Sequence, residues 1–213
     1  MKKIIIRAES VEDAIEKAKK TYDLRDGELE YKVLEKGFKG FLGLFAKEAE
    51  VEITFKKKFY ERKIGEFIRE ILSFAGSVGK IVVKGNGKTY FVSIDGENVG
   101  KLIGKHGKTL AALQHIVTIY ANRLSDVKLN VVIDAGDYRE RRKKQLEIIA
   151  KEAVKKVLET KERVELDPMF PFERRIIHEI VKKYKGVTSY SVGMEPYRRV
   201  VIEYTKREAK MRR

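Results

Sequence analysis

Apolar and polar residues alternate in three short segments near the start of the chain. This period-two pattern indicates half-buried β-strands, and the three segments are residues 2–6, 28–37 and 49–55. Between the first two segments, apolar residues recur at helical spacing over 10–22, where Ser10 is a candidate N-cap with Asp13 three positions later. The pattern therefore predicts a small α+β domain over residues 1–56.

The stretch 36–46, KGFKGFLGLFA, interrupts this alternation with three glycines among three phenylalanines. One interpretation is a glycine-hinged turn whose phenylalanine rings fill a small core, since phenylalanine is usually buried. The other interpretation is an exposed aromatic surface that binds a partner. The sequence favours the first interpretation and leaves the second open.

A second unit is predicted over residues 57–136. An apolar stripe at helical spacing runs over 59–76 and ends at Gly76. The segment 80–96 has the pattern of a β-hairpin with its turn at residues 85–87, Gly-Asn-Gly. The remaining predicted elements are a short helix at about 98–103, a longer helix over 108–123 and a strand over 127–135.

The third unit, residues 137–213, begins with a long amphipathic helix over 137–160. We interpret this helix as a connector that lies against one or both neighbouring domains. The elements predicted after it are a strand near 163–166, a helix over 172–184, and strands over 187–193 and 198–204. The predicted fold class is therefore α+β, with three small α+β domains in tandem.

Composition excludes one class of chemistry. The 213 residues include no cysteine, which rules out disulfides, thiolate catalysis and thiolate metal sites, and favours a reducing compartment. The apolar run at the N-terminus stops at Arg7, too early for a signal-peptide core, and no apolar stretch approaches membrane-spanning length. We therefore expect a cytoplasmic protein.

Positive charge is concentrated in the second and third units. The formal net charge is +15, yet residues 1–55 carry 11 Lys and Arg against 12 Asp and Glu, whereas the rest carries 36 against 20. A one-sided excess of this size is typical of a surface that binds a polyanion. The alternative is a Lys/Glu-rich surface that serves stability, which accounts for many charges of both signs but not for the asymmetry.

Two glycines three residues apart interrupt the helical pattern in VGKLIGKHGKTLAALQHI, residues 99–116. Because Gly104 and Gly107 have no Cβ, this turn can approach another chain closely, and the second helix directs its free N–H groups to the same place. Positive or donor side chains surround the turn: Lys101, Lys105, His106 and Lys108. The arrangement predicts a clamp for a sugar–phosphate backbone, and the alternative is a helix–helix corner with incidental lysines.

This segment resembles the KH domain, a module for single-stranded RNA or DNA whose Gly-x-x-Gly loop clamps about four nucleotides. The resemblance is carried by LIGKHGKTL set between two helices, after a hairpin and before a final strand. The helix-first order of residues 59–135 is similar to the type II arrangement, so we expect a type II KH-like central domain. We also expect four apolar residues beside the loop to wall a groove for bases: Leu102, Ile103, Leu110 and Leu113.

A second basic cluster lies on one predicted helix of the third unit. In ERRIIHEI, Arg174 and His178 are at i and i+4, so they share a helix face. Arg174 offers a planar fork of donors, and His178 is a smaller donor that can also stack on a base. By itself, an Arg–His pair at this spacing usually lies on a solvent-exposed helix face and has no binding role.

The residues around this pair resemble the R-3-H domain, a single-stranded nucleic-acid-binding domain named for an Arg and a His with three residues between them. The resemblance is carried by LDPMFPFERRIIH and TSYSVGMEPYRRVVI. It implies a second contact face formed by Arg174, Arg175 and His178. We further expect residues 195–196, Glu-Pro, to turn the chain and place Arg198 and Arg199 close to the helix face.

The tandem order, with KGFLGLFAKEAEVEITF in a small domain ahead of the KH and R-3-H domains, resembles the bacterial Jag family of SpoIIIJ-associated, KhpB-like proteins. The resemblance covers essentially the whole chain and implies a cytoplasmic RNA-binding protein that acts as a post-transcriptional regulator linked to cell elongation and division. It also implies a KH-only partner protein or a homodimer, and association with the membrane insertase. Two features depart from the family: Lys-His in the loop, where pairs such as Arg-Arg are more usual, and the absence of the long linker that some relatives carry.

The residues favour a non-catalytic binder of single-stranded RNA, or of single-stranded DNA, over an enzyme. His106, His115 and His178 lie in separate motifs, the carboxylates form no candidate metal cluster, and there is no P-loop. We therefore expect no catalytic residue, metal or cofactor, and we expect His115 to be a packed or half-exposed structural residue. The alternative is an adaptor at the membrane insertase, for which nucleic-acid binding is secondary.

Overall fold

Three small sheets, each covered by helices, make up the described part of the chain. The computed structural model describes residues 1–38, 47–74, 76, 79–96 and 99–205. It divides into two compact units, Met1–Gly136 and Asp137–Arg213. Helices and strands are mixed along both units, which confirms the predicted α+β class.

The first sheet is antiparallel, with the strand order β1-β3-β2. Its elements are β1 (Lys3–Ala8), α1 (Val11–Tyr22), β2 (Leu29–Glu35) and β3 (Ala49–Phe55). The predicted N-cap is present, since the Ser10 hydroxyl accepts a hydrogen bond from the Asp13 backbone N–H at 3.1 Å. Alternate residues of β3 are fully buried beneath α1, as the period-two pattern predicts.

The glycine- and phenylalanine-rich stretch is described only at its edge. The Phe38 side chain is exposed, and its backbone pairs with Lys47. Residues 39–46 lie outside the described residues, so both interpretations of this stretch stay predictions.

The second sheet has the order β4-β5-β6, with an antiparallel and a parallel pair. Its elements are α2 (Lys57–Phe74), β4 (Lys80–Asn86), β5 (Thr89–Asp95), α3 (Val99–Ile103), α4 (Lys108–Arg123) and β6 (Asn130–Ala135). Parallel pairing of β5 with β6 requires a crossover, which the α3–α4 segment supplies. The helix-first order matches the predicted type II arrangement.

The hairpin turn begins at Gly87, two residues after the start of the turn that the sequence pattern predicts. Asn86 pairs with Thr89, so the loop consists of Gly87 and Lys88, and Gly87 has φ +58° at the position where a type II′ turn requires it. Gly85 instead lies inside β4. A Cβ there would come within 2.8 Å of the Tyr90 ring, so this glycine makes room for a packed aromatic side chain and does not form the turn.

The unit Asp137–Arg213 folds around the long helix. Its elements are α5 (Tyr138–Thr160), β7 (Val164–Glu165), α6 (Pro171–Val181), β8 (Val187–Val192) and β9 (Arg199–Tyr204), with the strand order β7-β9-β8. The apolar stripe of α5, including Leu146, Val154 and Val157, packs into one core with α6 and β9. The long helix therefore lies against a neighbouring domain, as we interpreted it, and its apolar stripe is part of the core of that unit.

A buried ion pair joins the first sheet to α2. Arg62 donates from Nε to Glu28 Oε1 at 2.6 Å and from Nη2 to Glu28 Oε2 at 2.7 Å. These side chains are only 11% and 6% exposed, and Arg62 also contacts Asp23 and Glu66.

An aromatic series continues from β3 through α2 to β5, with ring centroids 4.9 to 6.0 Å apart, and consists of Phe55, Phe59, Tyr60 and Tyr90. The two sheets of Met1–Gly136 are thus packed into one unit.

Among the described helices, none has the length and apolarity required to span a bilayer.

We expect Arg62→Ala to lower the free energy of unfolding by about 3 kcal/mol, because it leaves the buried Glu28 carboxylate without its partner. Arg69→Ala removes an exposed arginine from the same helix and should change stability by less than about 0.5 kcal/mol. The measurement is urea denaturation followed by circular dichroism. The double substitution Glu28→Leu with Arg62→Met should recover most of the loss, whereas equal effects of the two alanine variants would contradict a stabilising role for the pair.

Candidate nucleic-acid interface

The glycine loop is a tight left-handed turn between α3 and α4. Gly104, His106 and Gly107 have φ values of +67°, +54° and +77°. The Gly104 N–H donates to the Gly100 carbonyl and the Gly107 N–H to the Gly104 carbonyl, each at 3.2 Å. The loop therefore ends α3 at Ile103, and α4 begins at Lys108.

Glycine is required at residue 104 for two separate reasons. Its φ lies in the left-handed region, which residues with a Cβ rarely adopt. A Cβ at this position would also collide with the side chain of Thr109, whose own Cβ would be only 2.8 Å away. The first turn of α4 therefore packs directly against bare backbone.

The charged residues predicted around this loop face solvent. Lys101, Lys105 and Lys108 are exposed, and His106 is half-buried. Lys105, His106 and Lys108 lie at the N-terminus of α4, where the helix dipole favours an anion, and Lys101 lies on α3. The surface formed by the loop, these lysines and the start of α4 is called the glycine-loop surface below.

The four apolar residues expected to wall a groove for bases are core residues instead. Leu102, Ile103, Leu110 and Leu113 are only 4 to 9% exposed. The helices that carry them pack on β6, and α4 also packs on α2, so these side chains turn inward. They hold the loop in place from below. His115 was expected to be packed or half-exposed, but it lies on the exposed face of α4.

A groove of about 560 Å³ lies between α6 and β8 in the other unit. The residues lining it that matter below are Arg174, Arg175 and His178 from α6, Lys182 just after α6, and Ser189 and Ser191 from β8. Arg175 and Lys182 are exposed cations, and Glu179 is the acidic residue among the described lining residues. We call this feature the α6–β8 groove.

His178 is held between two serine hydroxyl groups. Nδ1 lies 2.7 Å from Ser189 Oγ, and Nε2 lies 3.0 Å from Ser191 Oγ. Burial, followed by the positive charges of Lys182 and Arg174, lowers the pKa of His178 below its usual 6.5. The imidazole is therefore neutral at pH 7, so one ring nitrogen donates and the other accepts.

The sequence analysis did not identify Ser189 and Ser191 as site residues, because their partner, His178, lies on a different element. Ser189 and Ser191 are at i and i+2 of a strand, so their side chains share one face. Alternation within TSYSV was the available signal, but only the packing of α6 on β8 brings that face to His178.

Arg174 and Arg175 have different environments although both were predicted to contact nucleic acid. The Arg174 side chain is 8% exposed; its Nη1 donates to the Met169 carbonyl at 2.8 Å, and its Nη2 to Glu195 Oε1 at 2.8 Å. Arg175 is exposed at the groove. The Arg174 guanidinium therefore ties the start of α6 to the loop between β8 and β9.

The two remaining predicted arginines are outside the described lining of the groove. The Arg198 carbonyl accepts a hydrogen bond from the Met169 N–H at 3.2 Å, just before α6, and the Arg198 side chain is exposed. The Arg199 guanidinium lies 3.8 Å from Glu165 on β7. The turn at residues 195–196 therefore brings the main chain of Arg198, but not the Arg199 side chain, to the start of the helix.

Comparison with known proteins accounts for all three parts of the chain. Residues 6–55 match the Jag N-terminus, residues 61–133 match the KH domain of KhpA and KhpB, and residues 144–204 match the R-3-H domain. A relative from Clostridium symbiosum, named RNA-binding protein KhpB, is 38% identical over 98% of this chain and 94% of its own length. The chain belongs to the KhpB family.

Other KhpB relatives differ in length. The one from Bacillus subtilis is 30% identical over 97% of this chain and 100% of its own length. The one from Lactiplantibacillus plantarum is 34% identical over 68% of this chain but only 45% of its own length. The predicted KhpB-like tandem of Jag N-terminal, KH and R-3-H domains is confirmed, with the glycine loop in the KH match and the α6–β8 groove in the R-3-H match.

We expect Gly104→Ala to destabilise the protein by about 2 kcal/mol, since it combines left-handed strain with a clash against Thr109. Gly100→Ala is the matched control, because a Cβ there meets no atom within 4 Å and the position lies inside α3. That control should be neutral or stabilising by up to about 1 kcal/mol. Thermal unfolding of both variants tests this, and equal midpoints would refute the argument.

The His178 environment predicts a pH dependence. Because its pKa is lowered on folding, the unfolded chain binds this proton first as the pH falls. The contribution to stability should be complete above about pH 6.5 and should be lost as the pH falls toward and through the folded-state pKa. NMR titration should give a folded-state pKa below 6.5, with His178→Gln identifying the resonance. Stability that changes equally with pH in the wild type and this variant would contradict the prediction.

Proposed function

We propose that this KhpB-family protein is a non-catalytic binder of single-stranded RNA that uses the glycine-loop surface and the α6–β8 groove as two contact sites. The observation that carries the proposal is the glycine loop, where left-handed backbone, three exposed lysines and a helix N-terminus meet. Relatives that cover nearly the whole chain are named RNA-binding proteins.

The glycine-loop surface is suited to a phosphate group. Gly104 and Gly107 permit the left-handed backbone of the tight loop, and Lys101, Lys105 and Lys108 supply exposed positive charge. Ile103 lies beneath the loop as a core residue and supports it without being a contact. His106 adds a donor at the turn.

The α6–β8 groove supplies the second contact through different chemistry. Arg175 and Lys182 give charge, whereas the neutral His178 and its two serines give hydrogen bonds without charge. Arg174 acts as a positioning residue that shapes the start of α6. Two weak contact sites on one chain raise the overall affinity through effective concentration when one strand reaches both.

Absence of catalysis is part of the proposal. No group of three or more metal-ligating side chains occurs among the described residues. The histidines of the two contact sites belong to separate units, and His178 is engaged by two serines. A labelled strand incubated with the protein and Mg²⁺ should therefore remain intact.

The finer biological roles are proposals that rest on the family resemblance. They are post-transcriptional regulation linked to cell elongation and division, pairing with a KH-only protein or with a second copy, and an adaptor role at the membrane insertase. Liposome flotation with and without RNA separates the adaptor role from RNA binding, because an adaptor alone would float independently of RNA.

The central test is fluorescence anisotropy of a labelled, unstructured RNA oligonucleotide over a salt series. Lys105→Asp with His106→Asp should weaken binding at least tenfold and flatten the salt dependence, because phosphate contacts release counterions. The matched control is Lys20→Asp with Thr21→Asp, which makes the same change in charge on two adjacent exposed residues of α1.

The pattern of losses decides between three explanations. A loss confined to the loop variant supports the clamp. Equal losses in both variants would indicate diffuse electrostatics, and unchanged binding in both would make the glycine loop a structural corner. Circular dichroism of each variant confirms that it is folded.

A further inference from the structure

An exposed aromatic side chain lies on α6 between residues that line the α6–β8 groove. Phe172 is 58% exposed, although phenylalanine is among the residue types most often buried. Its neighbour Pro171 lines the groove, and so does Arg175, three residues further along α6. Residues three apart on a helix are neighbours on its surface, so Phe172 lies next to Arg175, which lines the groove.

The Phe172 ring stacks on a neighbouring aromatic ring. Phe170 stacks on it with ring centroids 5.8 Å apart and planes within 9° of parallel. The Phe170 N–H donates to Glu173 Oε2 at 2.9 Å, and Glu173 Oε1 accepts from Arg142 Nε at 2.7 Å. Glu173 is 1% exposed, so the first turn of α6 is anchored to α5 in the core. Because the Phe172 ring already stacks on Phe170, part of the conformational entropy that a second stacking partner would remove is already lost in the free protein.

The charge beside the ring favours a polyanion over an apolar protein surface. Arg175 on α6 and Lys182 just after its last residue are exposed cations, against one acidic side chain, Glu179, in the described groove lining. An aromatic face next to cations is the combination with which proteins bind single strands, since bases stack while phosphates pair with the cations.

We propose that Phe172 is a stacking platform for one unpaired nucleobase, whose adjoining phosphate lies at Arg175 in the α6–β8 groove. The inference rests on the proposed RNA binding and adds a base contact to it. Stacking is tolerant of base identity, so this contact contributes affinity for unpaired nucleotides without selecting a sequence.

The first test separates stacking from charge. Phe172→Ala should weaken binding of an unstructured RNA about tenfold and leave the salt slope unchanged, because no phosphate contact is removed. Arg175→Gln should reduce the salt slope. Phe172→Tyr retains an aromatic ring and should bind as the wild type does, which guards against a loss caused by misfolding.

The second test reports the stack directly. The chain contains no tryptophan, so Phe172→Trp introduces a single indole emitter at the platform. Single-stranded RNA should quench its fluorescence, whereas polyphosphate, which has charge but no bases, should not. Tyr31→Trp is the control, because Tyr31 is 54% exposed on β2 of the other unit.

The outcomes distinguish this inference from the function on which it rests. If the wild type does not bind RNA, the proposed function fails. If the wild type binds but Phe172→Ala binds equally well, or the indole at residue 172 is quenched no more than the indole at residue 31, the stacking platform alone is overturned. Equal quenching by polyphosphate would also overturn it.

Discussion

Each of the two units is held by a carboxylate that is almost excluded from water and paired with an arginine. Glu28 pairs with Arg62 in the first unit, and Glu173 pairs with Arg142 in the second. A charge buried in this way is tolerated only when its partner and its remaining hydrogen bonds are in place, so each pair forms in one arrangement of the surrounding elements. The first pair fixes α2 against the N-terminal sheet, and the second fixes α6 against α5.

Both candidate contact surfaces depend on such fixed elements. The glycine loop is held by core residues beneath it, among them Leu102 and Leu110, and by the packing of Thr109 against Gly104. The start of α6 is held by Glu173 and, on its other side, by the hydrogen bonds of Arg174. In both cases a rigid interior positions short stretches of backbone and a few exposed cations, which is what binding an extended polyanion requires.

The different burial of the neighbouring residues Arg174 and Arg175 follows from helical geometry. Arg174 and Arg175 differ by about 100° around the helix axis, so one points into the unit and the other faces the solvent. The buried arginine pairs with Glu195 and donates to the Met169 carbonyl, whereas the charge of Arg175 is exposed to solvent. Since His178 is neutral and Arg174, which also lines the groove, is paired with Glu195, the exposed positive charge in the α6–β8 groove comes from Arg175 and Lys182.

The sequence alone determined the order of elements and the identity of the glycine loop. Period-two and helical patterns are local, so strands such as β3 and helices such as α4 lie where the pattern predicts. The Gly-x-x-Gly spacing is local as well, because two of the three left-handed positions of the turn are Gly104 and Gly107, and glycine adopts such backbone without the steric cost of a Cβ.

The tertiary structure decided what each of these elements touches. Gly85 was assigned to the turn, but the Tyr90 ring, brought close by strand pairing, explains its lack of a side chain. Likewise, Ser189 and Ser191 gain their role only when β8 meets α6. Such contacts join residues that are distant along the chain, and burial energy depends on the whole packed arrangement, so periodicity shows which face turns inward but not which partner it meets.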